Sequence, residues 1–242
     1  NSMPKAWWKE ILKTDKERKF EVEYKKVKSF LSGQLDGTGI TRQYKYADGK
    51  TFGRQFDHSG LQGMQKAIRG ALCEGSVSDL DMVNCHPMIL AWICRKYDIS
   101  CPNLEHYNKN RNKILTEICD NFKYDKCDAK TLFLKSTNSS WRIKPVGDES
   151  FDQYDAEMKR IQKKLNCIPD YSFIKPKVKK GDNEDGSFIN LCLCYHENLI
   201  LMEAMKHLQS KNVEICTLAF DGLMHYGLED ETLLNSLNTC IQ

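Results

Sequence analysis

Two acidic segments stand far apart in this chain. The first is Asp79-Leu80-Asp81-Met82-Val83-Asn84-Cys85-His86-Pro87, and the second is Leu218-Ala219-Phe220-Asp221-Gly222-Leu223-Met224. Each reads as a strand that ends in a carboxylate. Asp79 and Asp81 are two apart, so on a strand they share a face with Val77. Carboxylates on one face repel unless a cation or water lies between them. Two such strands side by side make a cage for Mg²⁺, which takes oxygen ligands and keeps several of its waters. Mn²⁺ suits the same donors. Two such ions about 3.5–4 Å apart can activate a hydroxyl and stabilise a pyrophosphate leaving group, the chemistry of nucleotidyl transfer. The predicted metal and catalytic residues are therefore Asp81 and Asp221, with Asp79 assisting. Taken alone, Asp221-Gly222 reads first as a hairpin turn, and Asp221 gains meaning only from its partner.

The first segment turns from strand to helix at Asn84 to Pro87. Backbone N–H groups at a helix start favour phosphate, which makes Asn84 a candidate nucleic-acid contact. Further along, Lys126 and Lys130 stand at i and i+4 in a helical pattern, so both cations share one face and could grip a triphosphate. Arg69, in a short helix over 61–72, is a third candidate for phosphate.

The elements that must position these groups follow from periodicity. Residues 4–31 read as one or two amphipathic helices carrying Trp7, Trp8, Ile11 and Leu12. A loop covers 33–39, and a hairpin over 41–56 turns at Asp48-Gly49. A strand spans 77–82, helices fill 87–97 and 102–144, and a long helix spans 188–208. A hairpin over 214–226 turns at Asp221-Gly222, and a last helix covers 229–240. The charged segment 142–186 ends in a predicted exposed, mobile loop over 177–186. The class is α+β, a small antiparallel sheet covered by helices.

With 242 residues and 40% hydrophobic content, the chain can bury a sizeable core. A net charge of +3, from 36 basic and 33 acidic residues, argues for no partner by itself. No apolar run is long enough to span a bilayer, and no secretory leader is evident. Asn1-Ser2 ahead of Met3 reads as a cloning remnant. The eleven cysteines sit mostly in apolar runs and imply reduced thiols in an intracellular, reducing compartment. Cys192-x-Cys194-x-His196 lacks a second pair at zinc-type spacing and reads as core packing.

These segments resemble the family A DNA polymerases and the single-subunit RNA polymerases, in particular the divergent transposon–virophage branch often joined to a helicase. The carriers are Asp-x-Asp-x-x-Asn-x-His-Pro at Asp79 to Pro87, Phe-Asp-Gly at Phe220 to Gly222, Ile68-Arg69-Gly70 with Leu72, and Phe52-Gly53-Arg54. The resemblance implies a polymerase palm from 76–98 and 187–242, a helical fingers-like insertion at 99–186, and an N-terminal region, 1–75. It matches Asp81 and Asp221 to the first and last metal aspartates and Lys130 to the triphosphate lysine. Lys126 falls where the family has arginine. His86 falls where the DNA polymerases place a sugar-selecting glutamate. Glu197 falls on a helix that tracks primer–template backbone. The chain departs from the pattern at Thr137-Asn138-Ser139-Ser140, where a Tyr-Gly pair is usual, at Leu134, where an aromatic is expected beside Phe133, and at Gly222, where an acid is usual.

The implied function is template-dependent nucleotidyl transfer, that is, DNA polymerase activity within a replication protein. Its partners would be a primer–template or single-stranded template, nucleoside triphosphates, and a helicase domain in the same polypeptide, with no membrane. The alternatives left open are a primase, an inactive palm serving as a nucleic-acid scaffold, and a metal-dependent nuclease.

Overall fold

The computed structural model describes residues 17–32, 43–47, 50–57, 60–143, 147–227 and 231–241. Trp7, Trp8, Ile11, Leu12, the 33–39 loop and the Asp48-Gly49 turn lie outside them. The described residues form two compact units. One combines the chain up to Met82 with residues from Asn198 onward, and the other runs from Val83 to Glu197.

In the first unit, a three-stranded antiparallel sheet has the order β3-β5-β4, from β3 (Val77–Asp81), β4 (Ile215–Ala219) and β5 (Gly222–Tyr226). The register sets Asp79 opposite Met224, Leu80 opposite Leu223 and Asp81 opposite Gly222. Directly opposed residues share a face, so Val77, Asp79 and Asp81 lie on the Met224 face. That face packs against Val27 and Phe30 of α1 (Glu17–Ser32) and against Ile68 and Cys73 of α2 (Lys66–Cys73), with Leu61 and Met64 filling between. On the opposite face, Leu80, Leu218 and Leu223 meet Leu201, Ala204 and Leu208, and then Leu233 and Leu237 of the last helix, Glu231–Ile241. The sheet is therefore covered by helices on both faces, as the alternation of its strands requires. A second sheet pairs two short strands, β1 (Lys45–Tyr46) and β2 (Gln55–Phe56). Just ahead of β1, the Tyr44 hydroxyl lies 2.8 Å from Thr217 Oγ1 and accepts from Leu218 N at 3.0 Å, which ties the small sheet's leader to β4.

The second unit is helical: α3 (Cys85–Lys96), α4 (Pro102–Phe122), α5 (Lys126–Asn138), α6 (Glu149–Asn166) and residues 184–197 of α7 (Glu184–Ser210). Tyr107 stacks on Phe133 with centroids 4.4 Å apart, and Phe151 and Tyr154 close edge-on around Phe133. Helix α6 corrects the reading of 142–186 as a charged stretch ending in a loop. Phe151, Tyr154, Met158, Ile161 and Leu165 are buried at helical spacing, and the charges that obscured the pattern include Asp155 and Glu157, themselves buried. The expected mobile loop is also shorter than predicted, since Glu184 to Gly186 already belong to α7.

Asp155 explains how a buried carboxylate is tolerated there. It accepts from Ser136 Oγ at 2.8 Å and from Ile143 N at 3.1 Å, and pairs with Arg142 and Lys159. Replacing it with asparagine removes the charge from four donors at once. The unit should lose about 2 kcal/mol in urea unfolding, the scale of a charge-assisted buried hydrogen bond. An unchanged midpoint would deny Asp155 that role.

Candidate functional site

The acidic site lies in the sheet-bearing unit, at the end of β3 and the β4–β5 turn. The turn differs from expectation by one residue. Ala219 pairs with Gly222, so the two loop residues are Phe220 and Asp221, and Gly222 already belongs to β5. Hairpin loops of two residues need positive φ to match the twist of the strands, and Phe220 takes it, at φ 63°. A bulky residue in that region is strained. Its ring is held by the edge of Phe56, 6.1 Å between centroids, and by the Arg54 guanidinium 5.4 Å above it.

The glycine is there for closeness rather than for the turn. A Cβ on Gly222 would collide with Asp81 Oδ1 and lie 2.5 Å from Leu80 O. The Asp81 carboxylate thus occupies the space over Gly222, beside Asp221. Met82 N donates to Asp221 O at 3.0 Å, which fixes the turn against the end of β3. Asp79 and Asp81 are exposed and Asp221 is half-buried, so the carboxylates remain open to solvent.

The electrostatics report the same proximity. Burial first, then the charges of Asp79 and Asp221, raise the Asp81 carboxyl above its ordinary 3.8, while Lys66 and Arg69 on α2 oppose the rise. A carboxyl raised on folding binds its proton more tightly in the folded state. Its favourable contribution is complete below 3.8 and is lost as pH climbs through the raised value. At neutral pH, Asp81 therefore burdens the cation-free fold, a cost typical of functional sites. Asp81→Asn should raise the urea midpoint of the cation-free protein at pH 7, and this gain should shrink toward pH 4. A lower midpoint at pH 7 would show that the carboxylates do not repel.

Of the residues singled out from sequence, this unit brings together Asp79, Asp81, Asp221 and Arg69. It adds Lys66, one turn before Arg69 on α2. The upstream Phe52-Gly53-Arg54 segment also arrives here, through Arg54 on Phe220.

The remaining candidates belong to the helical unit. Lys126 and Lys130 are both exposed in the first turns of α5, which begins at Lys126 with the Asp125 side chain as its cap. Asn84 sits at the N-cap position of α3 in the left-handed region, φ 53°, and makes no cap bond; its Nδ2 donates to Asn108 Oδ1 at 2.8 Å. Glu197 corrects its expectation. It is fully buried, 0% exposed, and its Oε2 lies 2.8 Å from His86 Nε2, so it cannot lie along a nucleic-acid backbone.

No family model matches the chain, and no solved structure matches it. One curated relative does: a protein of Sputnik virophage named "Putative helicase V13" is 29% identical over 219 residues. The match takes in 86% of this chain but only 27% of that protein. This finding overturns the reading of the chain as a DNA polymerase or primase. The relative's name is that of a helicase. The sugar-selecting role of His86 rested on that reading. No helix among the described residues is long and apolar enough to cross a membrane.

Proposed function

We propose that this chain is the nucleic-acid-engaging part of a helicase-type replication protein. In this reading, Asp81 and Asp221 hold a divalent cation of the Mg²⁺ type that bridges the protein to a strand phosphate, with Asp79 beside them. The carrying observation is the approach of Asp81 over Gly222 to the turn that bears Asp221. A hard cation there relieves the repulsion that raises the Asp81 carboxyl, and carboxylates plus water are the donors it prefers. Lys66 and Arg69 supply the positive charge that a phosphodiester needs.

The relative's name supports the choice of process. A helicase motor is marked by a G-x-x-x-x-G-K-[S/T] loop that cradles phosphates. The chain's Gly49-Lys50-Thr51 lacks the first glycine, Tyr44 standing in its place, and no other such run occurs in the sequence. The chain is therefore assigned to the strand rather than to the motor. Its test is fluorescence anisotropy with labelled single-stranded DNA at fixed ionic strength, with and without Mg²⁺. Binding should tighten with Mg²⁺ in the wild type, need more Mg²⁺ for the same response in Asp81→Asn and Asp221→Asn, and lose that response in the double variant. Mg²⁺-independent binding in the wild type, or no binding, overturns the proposal.

A further inference from the structure

A second cluster of metal-type donors lies wholly within the helical unit, apart from the three aspartates. His86 from the first turn of α3 meets Cys194 and Glu197 from α7, and their donor atoms all lie within 4.8 Å of one another. Cys194 and Glu197 are i and i+3, so they share a helix face. Glu197 is fully buried, Cys194 is 8% exposed, and the His86 side chain is 11% exposed. The Cys85 thiol adds a further sulfur 3.9 Å from the same Glu197 Oε2.

We propose that His86 Nε2, Cys194 Sγ and a Glu197 carboxylate oxygen bind a Zn²⁺-type ion. The donor chemistry decides the class. Thiolate and imidazole favour Zn²⁺ over Mg²⁺ or Ca²⁺, and one nitrogen, one sulfur and one oxygen are within zinc's habit. Charge decides it again, since a dication with one thiolate, one carboxylate and a neutral imidazole sums to zero, the state a buried site favours. His86 Nε2 and Glu197 Oε2 share a hydrogen bond of 2.8 Å. The ion takes the place of that shared proton and opens the pair by about half an ångström, given metal–ligand bonds near 2.0–2.1 Å. On binding, the Cys194 thiol releases its proton to solvent, and the proton that lay between His86 Nε2 and Glu197 is carried instead on the imidazole Nδ1. Affinity must therefore fall as pH falls.

The neighbouring Cys192 and His196, which the sequence spacing paired with Cys194, are not part of this site. Residues two apart on a helix do not face each other. His196 Nε2 lies 2.8 Å from the Tyr171 hydroxyl, and burial, then Lys96, push its imidazole down to about 4. Cys192 is fully buried, and burial pushes its thiol up.

The experiment is Zn²⁺ and Co²⁺ loading of the full chain, followed by elemental analysis after dialysis and by absorption spectra. The wild type should retain about one Zn²⁺ per chain, and Co²⁺ should give tetrahedral visible bands with a near-ultraviolet thiolate band. Excess Mg²⁺ should displace neither. Cys194→Ala should lose the thiolate band and most of the retained zinc, with an unchanged circular dichroism spectrum. Should that variant not fold, His86→Gln is read in its place for the same loss. Asp81→Asn should keep the zinc, so failure here and failure of the cation bridge at Asp81 are read separately. A wild type that retains no zinc overturns the proposal, as does a folded Cys194→Ala or His86→Gln protein that binds Co²⁺ with the wild-type spectrum.

Discussion

Gly222→Ala destabilises the sheet-bearing unit by about 3 kcal/mol, the upper range for forcing one extra carbon into a packed site. The added Cβ meets Asp81 Oδ1, which could swing aside, but it also stands 2.5 Å from Leu80 O and 3.2 Å from Asp81 Cα. Those last two are backbone, so β3 must part from β5. This parting moves Asp81 away from Asp221, and cation binding is lost together with stability. Urea unfolding followed by circular dichroism reads the first effect, and Mn²⁺ titration of the still-folded fraction reads the second. A wild-type midpoint in Gly222→Ala would mean that the strands do not approach as closely as the register requires.

The second large effect belongs to the carboxylates. Asp81→Asn and Asp221→Asn should each weaken divalent-cation binding about tenfold, or about 1.4 kcal/mol. Together they should come close to abolishing it, because the two residues act on one ion and their effects are coupled. Asp79→Asn should cost less, since Asp79 sits opposite Met224, two residues back along β3 from the turn. The cation-free stability moves the other way for Asp81, whose carboxyl is raised by burial and by its acidic neighbours. A variant that folds better and binds worse is the signature of a site held against repulsion.

Much of this arrangement was legible in the sequence. Val77 to Met82 reads as a strand with both aspartates on one face, and the structure keeps that face in a strand that ends one residue earlier, at Asp81. The apolar flanks of the hairpin were read as Leu218, Phe220 and Leu223, and the structure keeps Leu218 and Leu223 in the strands. The turn itself was not legible. Asp-Gly is the strongest local hairpin signal, yet here the glycine makes room for Asp81 and Phe220 takes the left-handed position. That choice depends on a strand more than a hundred residues away.

Helix α6 was hidden for a different reason. Its apolar positions from Phe151 to Leu165 follow helical spacing, but Asp155 and Glu157 look like solvent-facing charges until their partners are known. Glu157 accepts from the backbone N–H groups of Asn103 and Leu104 at the start of α4. The His86, Cys194 and Glu197 cluster was invisible for the same reason, since its members join only when α3 meets α7. The local Cys192-x-Cys194-x-His196 pattern, read as core packing, shares only Cys194 with that cluster. As for function, a pair of aspartates at paired strand ends states only that a cation and a phosphate can be held there. The polymerase reading needed more than that, and the match to a helicase-named virophage protein corrected it.

The most direct test is Mn²⁺ binding, followed by electron paramagnetic resonance, in the wild type and in the Asp81→Asn/Asp221→Asn double variant. The protein is first loaded with Zn²⁺ and freed of unbound metal by dialysis, so that the histidine–cysteine cluster is not what is read. Wild-type protein should remove free Mn²⁺ signal, added single-stranded DNA should strengthen that binding, and the double variant should do neither. Equal Mn²⁺ uptake by the two proteins would contradict a cation held by Asp81 and Asp221.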